Sequence, residues 1–190
     1  MPRWEPDARL RLVESALTLF EERGYEDTGV ADIAARAGLT KTTFFRHFPN
    51  KREVLSAGQE LHSQTLAAGI RGAPAAATPL EAVAAALDAL AGTFAPERQA
   101  FAARLLTVIN TSLELQERAA LKQAGYVAAM RDALIARGVT ELVATVAAEL
   151  GHLAFTSGYA QWAAADPPVD LTKLVRAALA EIHTTSRALT

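Results

Sequence analysis

The residues best equipped for chemistry gather in one stretch of the chain. Between positions 31 and 52 stand Arg36, Lys41, Arg46, Lys51 and Arg52 against a single acid, Asp32, a local charge of +4 in a protein whose net charge is −2. Threonines at 28, 40, 42 and 43 interleave with these cations. Such a mixture suits a polyanion: ammonium and guanidinium groups neutralise phosphate oxygens, and a threonine adds a hydroxyl for hydrogen bonding and a methyl for apolar contact. A short basic stretch also suits a plain solvated face, and charge alone does not separate the two.

A second constellation is thinner. Glu149 and His152 stand one turn apart, the Glu-x-x-His unit from which di-iron helical bundles are built. Those centres need two such pairs and two further carboxylates, and only one pair occurs here. The absence of cysteine removes disulfides, thiolate catalysis and Cys-ligated metals. No Ser/His/Asp order and no phosphate loop stands out, so neither an enzyme nor a metal or other cofactor is expected.

The elements that must position these residues read as helices. Half the residues are apolar and aromatics are sparse, and the dominance of Ala and Leu favours helix over sheet. An all-α protein of about nine helices is expected. The first runs from about Asp7 to Arg23 on Leu10, Val13, Ala16, Leu17 and Phe20, with Gly24 as its left-handed cap. A short helix follows from about Val30 to Ala37, broken by Gly38. Thr40 then caps a third over Lys41–His47, which Pro49 ends. Asn50-Lys51-Arg52-Glu53 reads as a capping box opening a helix to about Ile70, on a face of Val54, Leu55, Gly58, Leu61, Thr65 and Leu66.

Residues 71–78 form the clearest composition break, and a junction between a head and a larger body is expected there. Thr78-Pro79-Leu80-Glu81 is a strong helix start, with Leu80, Val83, Leu87, Leu90 and Phe94 on one stripe. Further helices are expected from Pro96 to near Ile109, from Thr111-Ser112-Leu113-Glu114 to Gly138, from a Thr140 cap to before Asp166-Pro167-Pro168, and from an Asp170 cap onward. Residues 1–7 lack the apolar core of a signal peptide, and no uncharged apolar run reaches the ~20 residues of a bilayer span. A cytoplasmic protein with no membrane partner is expected.

Two short helices joined by a Gly-containing turn, the second of them basic, make a helix-turn-helix pattern. The wording Leu17-Thr18-Leu19-Phe20, Gly24-Tyr25, Thr28, Ile33-Ala34, Ala37-Gly38-Leu39-Thr40-Lys41, Phe44-Phe45-Arg46-His47-Phe48 and Asn50-Lys51 resembles the N-terminal signature of the TetR/AcrR family of regulators. The resemblance implies a DNA-binding head at 1–52, with a connecting helix at 51–70, and a dimerisation and effector-binding part at 71–190. It implies double-stranded operator DNA, a second copy of the chain and an unknown small molecule as partners.

Residue by residue, Thr40 and Lys41 lie at the start of the reading helix, facing phosphate, and Thr42 and Thr43 lie nearest the base edges. By the same resemblance His47, Lys51 and Thr28 touch phosphate. Each also has a local reading, since Thr28 and Thr40 cap helices and His47 covers core. Phe44 and Phe48, four apart, are read as core. Two departures stand out. Phe45 replaces a tyrosine whose hydroxyl meets phosphate, and Gly29 replaces a capping Ser or Thr at a cost of roughly a few tenths of a kcal/mol. They keep open a helical ligand-binding protein of this fold with weak or lost DNA binding.

In the family the last two helices pair with those of a second subunit. Here Ala147, Gly151, Ala154 and Gly158, at spacings of four, three and four, make a smooth stripe for close approach of another helix, flanked by Val143, Val146, Leu150 and Leu153. Leu174 and Ala178 continue the face on the last helix. Packing inside one subunit is the other reading. The resemblance also implies an effector pocket, for which Phe94, Phe101, Tyr126, Met130, His152, Phe155, Tyr159 and Trp162 offer an apolar and aromatic lining, with plain core open for each. Two-fold symmetry then calls for a pseudo-palindromic operator, and repression is the commoner mode.

Overall fold

The computed structural model describes residues 8–56 and 58–188; the helix start expected at Asp7 lies outside the described residues. Among the described residues the fold is all-α, with nine helices and no strand. They are α1 (Ala8–Arg23), α2 (Val30–Arg36), α3 (Lys41–His47), α4 (Gln59–Gly72), α5 (Pro79–Ala91), α6 (Gln99–Ile109), α7 (Leu113–Ala136), α8 (Glu141–Ala164) and α9 (Leu171–Arg187). Short 3₁₀ turns occupy Lys51–Ser56 and Pro96–Arg98. Residues up to 56 cluster with 104–120 as one compact unit, and residues 58–103 with 121–188 as another. The composition break at 71–78 lies inside the second unit.

In the first unit Leu12, Ala16, Leu17 and Phe20 of α1, Ile33 of α2 and Phe44 of α3 belong to the core, each at most 2% exposed. Burying each of the large ones contributes about 2 kcal/mol. Gly24 and Gly38 adopt the left-handed backbone that the two sharp turns require. Thr40 caps α3 as read, its hydroxyl accepting from the Thr43 N–H at 3.1 Å.

The helix expected from 50 to 70 is interrupted. Asn50 accepts from the Glu53 N–H at 3.3 Å, but the Glu53 carboxylate turns away from a capping box to take two bonds from Arg118, at 2.6 and 2.7 Å. The segment is a 3₁₀ turn, and α4 begins only after Gly58, whose φ of 90° would strain any other residue. That break re-phases the helix. Leu61 is 62% exposed, whereas Leu66 and Ile70 are buried and His62, on the same four-residue spacing, is half-buried.

In the second unit α5 opens as read, with Thr78 and Glu81 capping each other's backbone N–H groups. Asp170 caps α9 through the Thr172 N–H. Thr140 precedes α8 in the right backbone conformation, yet its side chain makes no capping bond. Arg137 donates to the carbonyls of Ile70, Ala73 and Pro74, satisfying the C-terminal end of α4.

The small stripe of α8 is buried within the chain. A Cβ on Gly151 would sit 2.4 Å from Val83 of α5, and one on Gly158 would sit 2.8 Å from the backbone of Val175 on α9. Ala147, Ala154 and, on α9, Ala178 are buried too. The stripe lets α5 and α9 of the same chain approach closely, which corrects its assignment to a partner subunit. The outward face of α8 carries the large residues Leu142, Val143, Val146 and Leu153, between 47% and 74% exposed; Leu150 and Leu174 are half-buried.

Candidate nucleic-acid interface and aromatic cluster

Helix α3 has seven residues, so its two faces are easily separated. Phe44 is wholly buried, and Phe48, at the C-terminal cap, is 2% exposed. They point the opposite face outward, where Lys41, Thr42, Phe45 and Arg46 are exposed. Phe45 alone among the rings here is half in solvent, at 51%. Among the described residues neither Lys41 nor Arg46 has an ion-pair or hydrogen-bond partner, so both charges face outward uncompensated. Thr43 is half-buried, and its hydroxyl lies 3.0 Å from that of Thr40.

The other cations of the stretch are engaged. Arg36 makes a two-pronged pair with Glu22 of α1, which holds that carboxyl below its ordinary range. The Lys51 ammonium donates to the Tyr25 carbonyl at 2.7 Å and lies 3.9 Å from the centre of the Tyr25 ring. Thr28 is buried, and its hydroxyl donates to Gly24 O at 2.8 Å. In this conformation neither Lys51 nor Thr28 presents its polar group outward. His47 is half-buried, and its Nε2 is buried without a partner among the described residues. The effective outward charge thus narrows to Lys41 and Arg46 with the weakly paired Arg52, 3.9 Å from Glu53. Arg46, counted in the sequence only as part of the basic stretch and given no contact of its own, is exposed beside Phe45.

Beneath this face the head is tied by ion pairs. Arg118 holds the Glu53 carboxyl below its ordinary range, Arg104 bridges Glu21 and Thr18 of α1, and the Tyr25 hydroxyl donates to Glu114 at 2.7 Å. Burial and that carboxylate push the Tyr25 phenol well above its ordinary pKa, so it stays a neutral donor. At Gly29 the missing side chain is met from the other end of the box: the Gly29 N–H donates to Asp32 at 2.9 Å.

The second unit holds a cluster of rings. Phe94 lies just past α5, held by a bond from its N–H to Ala91 O, and pairs with His62, Phe155, Tyr159 and Trp162 at centroid distances of 5.3 to 6.1 Å. Positions 155, 159 and 162 share one face of α8. Tyr126 of α7 joins through His62, whose Nδ1 is 2.8 Å from the Tyr126 hydroxyl. Five of the eight rings and side chains read as effector lining are therefore brought together. The others are not: Phe101 lies under the Arg98 guanidinium, Met130 is buried toward Gly151, and His152 meets Thr156 on its own helix. His62 was missed because the unbroken helix drawn from residue 50 turned it away from the core.

Burial pushes the His62 imidazole down to about 4, with Lys122 adding to the effect, and pushes the Tyr159 phenol up to about 12. Both are neutral at pH 7. Among the described residues no group of three or more His, Cys, Asp or Glu could hold a metal ion, and no helix is long and apolar enough to cross a membrane.

Residues 12–57 match the family model described as bacterial regulatory proteins, tetR family. The chain is 37% identical over 84 residues to the HTH-type transcriptional regulator TcmR of Streptomyces glaucescens, a match covering 44% of this chain and 37% of that relative. The aligned part thus spans little more than a third of the relative's length. Among solved structures, a TetR-family regulator from Syntrophomonas wolfei superposes with a TM-score of 0.64 at 18% identity, covering 97% of each chain. The Bacillus subtilis regulator FadR, in complex with stearoyl-CoA, superposes with a TM-score of 0.55 at 21% identity, covering 91% of this chain and 96% of that one. At such identities the likeness shows the fold.

Proposed function

We propose, from the premise that this chain belongs to the TetR family of bacterial regulatory proteins, that it is a sequence-specific DNA-binding transcription regulator acting as a repressor. Residues 1–52 form its DNA-binding part, with residues 71–190 serving dimerisation and effector binding. The observation that carries the reading is the outward face of α3: Lys41, Thr42, Phe45 and Arg46 exposed together on a helix fixed from behind by Phe44 and Phe48. Two charges without partners and a threonine beside them meet phosphate and base edges respectively. The rigid packing behind them keeps the ordering cost of binding low.

A homodimer completes the reading. Leu142, Val143, Val146 and Leu153 form an apolar strip on α8 exposed in the single chain, and a second copy would bury it about a two-fold axis. Two reading helices so related call for a pseudo-palindromic operator. The effector is a small, largely apolar molecule that binds the ring cluster and lowers operator affinity, by a coupling of about 1–3 kcal/mol. FadR, of the same fold, is bound to stearoyl-CoA.

A second reading has its own observation. Phe45 has no hydroxyl, and Lys51 and Thr28 are engaged internally, which favours a ligand-binding protein with weak DNA affinity. Selection of bound DNA from a random duplex pool separates the two. Recovery of an inverted repeat supports the regulator, and a pool that stays unenriched at low salt removes it.

A further inference from the structure

The ring cluster has features that plain core does not need. Phe94, Phe155, Tyr159 and His62 are each only half-buried, so the cluster keeps some contact with solvent, although Trp162 within it is 1% exposed. Phe94 acts as a hub, meeting Tyr159 and Trp162 edge to face, while Phe155 and Tyr159 stack with 24° between their planes. An added flat ring can continue either pattern. Two polar atoms in this group have no hydrogen-bond partner among the described residues: the Tyr159 hydroxyl, and His62 Nε2, whose sister nitrogen is taken by Tyr126.

The charges nearby are already placed. The Arg98 guanidinium lies 4.6 Å from the Phe101 ring centre and the Lys122 ammonium 5.9 Å from that of Tyr126. The unpartnered groups themselves carry no charge at neutral pH. An uncharged polar group on an aromatic frame therefore complements the site better than a carboxylate, whose charge two neutral groups would not balance, or a long flexible chain, which would leave the flat ring faces unmatched.

We infer that Phe94, Phe155 and Tyr159, with His62, form a site for a planar aromatic compound bearing a phenolic hydroxyl. The inference rests on the effector reading above and names the ligand chemistry it leaves open. The ligand's ring packs on Phe94 and Phe155, and its hydroxyl exchanges hydrogen bonds with His62 Nε2 and the Tyr159 hydroxyl.

The chain has two tryptophans, so Trp4→Phe leaves Trp162, inside the cluster, as the sole indole reporter. The full chain is titrated with 4-phenylphenol, with biphenyl and with dodecanoate, reading Trp162 fluorescence. Saturable quenching is expected with 4-phenylphenol, about tenfold weaker binding with biphenyl, and none with dodecanoate. Tyr159→Phe keeps the ring and should shrink the tenfold gap, as should His62→Gln. Dodecanoate binding as tightly as 4-phenylphenol, no saturable quenching by either aryl probe, or a gap unchanged in both variants overturns the inference. The regulator reading is judged separately by DNA selection. Aryl binding without DNA enrichment leaves the site standing and removes the operator, and an operator released only by an aliphatic compound does the reverse.

Discussion

Helices α3 and α8 sort their side chains by opposite rules. At α3 and its cap the large residues Phe44 and Phe48 are inside and Lys41, Thr42 and Arg46 outside, so hydrophobicity tells burial at every one of these positions, with Phe45, 51% exposed, as the exception. Along α8 ahead of Trp162, which is itself buried, the small residues Ala147, Gly151, Ala154 and Gly158 are inside, and Leu142, Val146 and Leu153 are outside. The difference lies in what fills the gap between neighbours. Around α3 side chains fill a core between short helices, whereas α8 lies so close to α5 and α9 that backbone and Val83 or Val175 fill the space themselves. Large residues left outside such a helix mark a surface with another partner to meet.

The strongest test breaks that last step. A leucine buried in an interface contributes about 2 kcal/mol, and a two-fold axis counts each substitution twice. Leu153→Glu should therefore weaken dimerisation by about 4 kcal/mol, close to a thousandfold, in sedimentation equilibrium. The thermal midpoint of the separated monomer should hardly move, because Leu153 is 54% exposed. An unchanged oligomeric state would show that the outward strip of α8 has no role in pairing.

The inward rule is tested next. Gly158→Ala gains about 1 kcal/mol in helix propensity but drives a methyl into the Val175 backbone, and overpacking of that kind costs about 1–3 kcal/mol. A net loss of up to about 2 kcal/mol in denaturant unfolding is expected. Gly72→Ala, where nothing lies within 4 Å of the added atom, should instead gain a few tenths. Equal effects at the two sites would mean that the close approach of α8 and α9 is not what demands glycine.

On α3 the outward rule assigns different fates to two cations. Arg46→Ala should weaken binding to all duplex sequences and reduce the salt slope by about one. Lys51→Ala should leave the slope unchanged and cost about 1 kcal/mol of stability, since its ammonium holds the Tyr25 carbonyl. Should the effects be exchanged, Lys51 turns outward on DNA and the internal bond is only a resting position.

These contrasts also say which parts of the molecule were readable in the sequence. Caps were, because they depend on neighbours two or three residues away: Thr40, Thr78 and Asp170 each make the expected bond. Phe44 and Phe48 were, because a spacing of four sets a face by itself. The break at Gly58 was not. It depends on Glu53 choosing Arg118, sixty-five positions away, over its own backbone, and with it went the phase of α4 and the inward turn of His62. The α8 stripe was seen as a stripe, but nothing local says whether the approaching helix comes from the same chain or another. Likewise the basic run was plain, while the engagement of Arg36 with Glu22 and of Lys51 with Tyr25 belongs to tertiary contacts.

The smallest effect compares the two helices at their first residues. Thr40 and Thr140 occupy the same extended backbone position ahead of α3 and α8, yet only Thr40 accepts a bond from the third residue of its helix. A seven-residue helix depends on such a bond more than one of twenty-four residues, since each terminal N–H left open is a larger share of its total. Thr40→Ala should cost about 1 kcal/mol in urea unfolding, and Thr140→Ala no more than a few tenths. A cost at Thr140 equal to that at Thr40 would mean the Thr140 hydroxyl swings in to cap α8 in solution, and the two helices would then start alike.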